Sequence, residues 1–151
     1  MFLDKKIAYF KQTFNDEFEA LSFLSNKFVE KGVAKDSFIN GIIEREKVYP
    51  TGIVLENVCV AMPHTDKEHV INNQIGFVSF EKPVEFHNMV DADNVIEVNC
   101  MFMLCIKDKQ VEVIQKLMEL FSSTDKMNEL LKADSFDEFY KIASSLENQT
   151  K

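Results

Sequence analysis

Apolar residues recur along this chain at two periods, and the order in which those periods alternate predicts its elements. Lys6–Phe10 reads as a short opening strand. Phe18, Leu21, Leu24 and Phe28 then return at helical spacing. They predict a helix from Asn15, whose side-chain oxygen can accept from first-turn amides, to about Lys31, closed by Gly32. A second helix fits Asp36 to about Lys47, burying Phe38, Ile42 and Ile43, with Arg45 in its last turn and Pro50 ending it. Strands are predicted at Val58–Met62, Gln74–Phe80, Val84–Phe86 and Val95–Ile106. The last, VIEVNCMFMLCI, begins with alternation and becomes almost continuously apolar, as suits a central strand covered on both faces. Val111, Ile114, Leu117, Met118 and Phe121 form one stripe of a helix from Lys109 to about Ser122. Thr124 is expected to cap a shorter helix to about Ala133, and Ser135 one from Phe136 to Leu146, with Glu138 in the capping-box position. Residues 148–151 are expected to fray. The fold class predicted is α+β: a three-layer α/β/α sandwich with a mixed β-sheet of about four to five strands, in a single domain spanning 1–151.

Composition narrows what such a domain does. The 151 residues are 46% hydrophobic and 28% charged, an ordinary globular balance, and 14 phenylalanines with no tryptophan point to an aromatic core. A net charge of −8 disfavours nucleic acid and an anionic membrane surface as partners, since both are bound by clustered Lys and Arg. The opening MFLDKKIAYFKQ has no run long enough for a signal peptide, and no stretch approaches the ~20 apolar residues of a membrane helix. Cys59, Cys100 and Cys105 all lie in apolar runs and read as buried free thiols, which places the chain in the cytoplasm.

The stretch VYPTGIVLENVCVAMPHTDKEHV, Val48 to Val70, concentrates the candidate chemistry. It runs through a turn at Tyr49-Pro50-Thr51-Gly52 and an apolar strand that stops at Pro63, with His64 immediately beyond in a polar loop. Proline fixes its own φ and biases the preceding residue to an extended conformation, so the imidazole is delivered at a defined strand end. Glycine-rich phosphate loops and a GxSxG elbow are absent, and His64, His69, His87 and the cysteines match no standard zinc spacing. Neither a cofactor nor a metal is called for.

Arg45-Glu46 followed by Tyr49-Pro50-Thr51-Gly52, the strand NVCVAMPH and the later helix VEVIQKLMELF together resemble the type-2 (fructose/mannitol) EIIA domain of the bacterial phosphotransferase system, over about residues 5–146. The resemblance implies a phosphoryl carrier on a three-layer fold with a mixed sheet. His64 would accept the phosphoryl group on Nε2 from phospho-HPr and pass it to an EIIB protein or domain, which serves the membrane component EIIC. A neutral imidazole is the nucleophile, and a histidine with an unperturbed pKa of about 6.5 supplies one at neutral pH. Phosphorylation adds negative charge to an acidic protein, and Arg45 is the candidate to grip the phosphate oxygens in a fork. Thr51 could donate a hydroxyl and Gly52 a backbone amide, and His69 could fix the tautomer or touch the phosphate.

One departure from the mannitol-like pattern is informative. Where many such domains carry a second histidine, at the start of the helix after the central strand, this chain has Gln110. With the PTG turn and the PHTDKEH spacing, it looks more like the galactitol-type branch. A regulatory protein of the nitrogen-related EIIA type, signalling through the same histidine, is the alternative. A hydrolase with His64 as base is weaker, because no nucleophile or carboxylate pair accompanies it. Met62, Val70 and Ile71 are candidates for an apolar docking rim around His64.

Overall fold

The structure, a computed structural model, describes residues 2–147; the fraying expected at 148–151 lies outside them. Its elements run β1 (Ala8–Gln12), α1 (Glu17–Glu30), α2 (Ser37–Val48), β2 (Gly52–Val54), β3 (Cys59–Ala61), a 3-10 turn (Lys67–His69), β4 (Gln74–His87), β5 (Val95–Cys105), α3 (Gln110–Phe121), α4 (Thr124–Lys132), α5 (Phe136–Ala143) and a closing 3-10 turn (Ser144–Glu147). The sheet order is β1-β4-β5-β3-β2, with β1 parallel to β4, β4 antiparallel to β5, β3 parallel to β5 and β2 antiparallel to β3. This is the mixed five-stranded sheet of the expected three-layer sandwich.

The continuously apolar β5 explains the layering. Successive side chains of a strand point to opposite faces. Cys100, Phe102 and Leu104 accordingly join one core with Leu117, Phe121, Leu130 and Phe139 from α3, α4 and α5. Met101, Met103 and Cys105 join the other, with Leu21, Leu24, Phe28, Phe38 and Ile42 from α1 and α2. Phenylalanines cluster in the first core: Phe77 lies 4.9 Å from Phe102 and 4.8 Å from Phe139, ring centre to ring centre.

Local departures from expectation have local causes. Helix α1 is capped by Asp16 rather than Asn15, its carboxylate accepting from the Glu19 amide at 2.9 Å while Glu19 reaches back to the Asn15 amide. Ser123, not Thr124, caps α4; Ser135 caps α5 as the sequence implied. Val84–Phe86 is no separate strand but the continuation of β4 beyond an irregularity between Ser79 and Val84. The Thr-Gly turn opens directly into β2, an edge strand too short to show a period.

The arrangement prepares one edge of the sheet. Strands β3 and β5 are parallel, with Val60 opposite Cys100 and Ala61 opposite Met101, so both end at the same side. Pairing reaches past β3: the Pro63 carbonyl accepts from the Leu104 amide at 2.9 Å, and His64 bridges Leu104. Helix α3 starts five residues after β5 ends, at the same edge. Crevices at the carboxyl ends of parallel strands are where open sheets place their ligands.

Candidate active site

His64 is held by its own chain. Its Nδ1 lies 3.0 Å from the Met62 carbonyl oxygen. A carbonyl can only accept, so Nδ1 carries the proton and Nε2 keeps its lone pair. The half-buried ring has its pKa lowered, first by burial and further by the Arg45 guanidinium, against the Met62 hydrogen bond and Asp66, which act the other way. The neutral ring is thereby favoured below the usual histidine range.

Beside it opens a cavity of about 650 Å³ lined by His64, Arg45, Lys67, Lys107, Gln110 and Val111, among others. Arg45 enters from the last turn of α2, its guanidinium carbon 5.1 Å from the centre of the Tyr49 ring. Its Nε is the one fully buried side-chain polar atom without a hydrogen-bond partner among the described residues. A buried donor left unpaired is costly. Gln110 is the first residue of α3, at the helix's positive end. Lys109, the cap position, sits at φ 63° and has no side-chain acceptor to offer the helix amides.

Thr51 serves a different purpose from the phosphate contact expected of it. It is buried and does not line the cavity. Its hydroxyl donates to Glu46, 3.0 Å from Oε1, and accepts from the Met62 amide at 3.2 Å. Its own amide donates to Glu46 Oε2 at 2.8 Å. Gly52 also lies away from the cavity: a Cβ there would come within 2.5 Å of the His87 carbonyl, so the residue is small to let β2 approach the turn after β4. Its amide is therefore not placed for the phosphate.

His69 likewise does not line the cavity. Its Nδ1 pairs with the Ser37 hydroxyl at 2.8 Å, and its other edge faces Gly41 of α2, where an added Cβ would sit 3.2 Å from Nε2. The tautomer role foreseen for it falls to the Met62 carbonyl, because the 3-10 turn carries His69 toward the start of α2. His87 bonds the Ala92 carbonyl instead. Of the apolar rim expected around the site, Met62 and Val70 are core and Ile71 is exposed. Val111, 70% exposed, and Ile114 border the cavity in their place. Glu46 entered the sequence reading only as the neighbour of Arg45, with no role, and the cavity lysines did not enter it. The signal for Glu46 was its position five residues before Thr51, on a helix face about 100° from Arg45.

Comparison with known proteins finds relatives along nearly the whole chain. Residues 1–145 match the family model "Phosphoenolpyruvate-dependent sugar phosphotransferase system, EIIA 2". A galactitol-specific EIIA component of Escherichia coli K12 is 31% identical over 101 residues, 67% of either chain. The "Probable licABCH operon regulator" of Bacillus subtilis is 26% identical over 141 residues, which cover 91% of this chain and 20% of that protein. Among solved structures, the fold is similar, with a TM-score of 0.75 and 18% identity, to that in the complex of enzyme IIAMtl with phosphorylated enzyme IIBMtl from Escherichia coli, covering 91% of this chain and 94% of that one.

Proposed function

The chain belongs to the EIIA 2 family of the phosphoenolpyruvate-dependent sugar phosphotransferase system, and from that premise we propose that it carries a phosphoryl group on His64 Nε2. The observation that carries the reading is the Nδ1 contact with the Met62 carbonyl, which leaves the Nε2 lone pair available in a cavity shared with Arg45. Residues 2–147 act as one carrier unit. In acceptance, the Nε2 lone pair attacks phosphorus as the donor's P–N bond breaks, and the donor imidazole of phospho-HPr leaves with that electron pair. In delivery, an EIIB nucleophile takes the phosphoryl group and His64 leaves neutral. Such transfers require alignment and donors for the equatorial oxygens more than covalent assistance.

Arg45 is the principal donor, lining the same cavity as His64 with its charge fixed. Gln110 replaces a second histidine with an amide NH2, supported by the amino end of α3. Lys67 and Lys107 add positive charge at the rim, offset there by Asp66 and Glu68, which leaves Arg45 to meet the phosphate charge. Docking uses the exposed apolar surface at Val111 and Ile114, a modest interface that suits a protein meeting two partners in turn.

The substrate class proposed for the downstream system is a hexitol of the galactitol kind, delivered through EIIB and the membrane EIIC, as the galactitol-specific relative suggests. The Bacillus regulator favours a second reading, in which phosphorylation of the same histidine signals rather than feeds transport. Incubation with phosphoenolpyruvate, Enzyme I and HPr should give acid-labile phosphate on the protein and none on His64→Ala; equal labelling of both ends the proposal. Onward transfer to an EIIB separates transport from signalling.

A further inference from the structure

Glu46 is a buried carboxyl that the transfer chemistry leaves unassigned. It lies on α2 next to Arg45, 4% exposed, and takes both donors of Thr51: the amide at 2.8 Å and the hydroxyl at 3.0 Å. The Met62 amide is shared between the Thr51 hydroxyl oxygen at 3.2 Å and the Thr51 carbonyl at 3.3 Å, so Thr51 holds Met62 through side chain and backbone, and the Met62 carbonyl accepts from His64 Nδ1. Three tethers therefore connect the carboxylate to the imidazole. Met62's amide and carbonyl belong to different peptide groups, so the connection is mechanical: it sets where the carbonyl points.

We propose that Glu46 is a positioning residue, anchoring Thr51 and Met62 so that the Met62 carbonyl holds His64 in the Nδ1–H tautomer with its Nε2 lone pair available for the phosphoryl group. Its importance for transfer rests on His64 being the phosphoryl acceptor. An ionised carboxylate serves both Thr51 donors best. Burial pushes the Glu46 pKa up to about 7, with the two Thr51 donors opposing; Glu17 at the start of α1 raises it further and His87 at the end of β4 lowers it. The tether therefore strengthens as pH rises through neutrality. Glu46→Gln keeps the shape but sets an amide NH2 against one of two donors, and Thr51→Val removes the hydroxyl without changing shape.

Nitrogen-15 NMR of the His64 ring in the unphosphorylated protein reads the tautomer without any transfer reaction. E46Q and T51V are expected to raise the Nε2–H tautomer, whereas T51S keeps the wild-type spectrum. Transfer from phospho-HPr should fall about tenfold in kcat with KM nearly unchanged, as for a reacting group held slightly out of line. The ratio of wild-type to E46Q rates should grow between pH 6 and 8. A folded E46Q with wild-type tautomer and an unchanged ratio across that range overturns the proposal; if E46Q does not fold, a wild-type tautomer in T51V does so. Absence of phosphate on the wild-type protein defeats the carrier reading instead, and the tautomer spectra still decide the role of Glu46.

Discussion

His64 and His69 stand five residues apart on the same loop, and each has Nδ1 in a hydrogen bond, yet the fold places them against different partners. The partner of His64 is a backbone carbonyl, which leaves no doubt over the proton and frees Nε2 for the cavity. The partner of His69 is a hydroxyl, able to donate or accept, and its other edge is pressed on α2 at Gly41. On the proposed reading, what suits His64 rather than His69 to carry phosphate is the element against which its second nitrogen is placed. Arg45 adds to the contrast, since its guanidinium lowers the pKa of His64 and shares its cavity.

The largest expected difference between the two rings is in labelling. His64→Ala should abolish acid-labile phosphate, whereas His69→Ala should retain most of it, measured with phosphoenolpyruvate, Enzyme I and HPr. Loss of label in both would erase the distinction. Next in size is Arg45→Ala. Removing a charged donor aimed at transition-state oxygens costs roughly 10²-fold in transfer rate, with circular dichroism unchanged because the guanidinium bonds nothing in the resting fold through its Nε. A rate within twofold of wild type would remove Arg45 from the site.

How far the site was legible depends on what each residue's role required. His64 was legible because the strand and Pro63 stop fix its place locally. The place of Arg45 beside His64 was legible from its position just before the Thr-Gly turn, whereas Lys67 and Lys107 in the same cavity were not. The layers followed from long periods in α1, α3 and β5. Thr51 was misread because a buried hydroxyl and an exposed one look alike in sequence, and only the fold of Glu46 back onto the turn decides between them. Edge strand β2 was missed because three residues carry no period. The route of Lys67–His69 as a 3-10 turn, which takes His69 to Ser37, depends on a contact 32 residues away.

Two smaller effects sharpen the comparison further. The His64 ring should titrate below the usual 6.5, followed by NMR. Because its folded pKa is depressed, the stability present above pH 6.5 is lost as pH falls through the folded value, and His64→Asn should flatten that part of a stability–pH curve. A midpoint at or above 6.5 would contradict the burial argument. Smallest is Ser37→Ala, which deletes one hydrogen bond to His69: about 1 kcal/mol of stability in urea unfolding, with transfer unchanged. A large transfer defect there would return His69 to the reactive site.

The most direct test of the central claim is nitrogen–phosphorus NMR on the protein after loading from phospho-HPr. The account predicts a single phosphorus bonded to Nε2 of His64, with Nδ1 still protonated against Met62. Phosphorus on Nδ1, or on His69 or His87 instead, would contradict it.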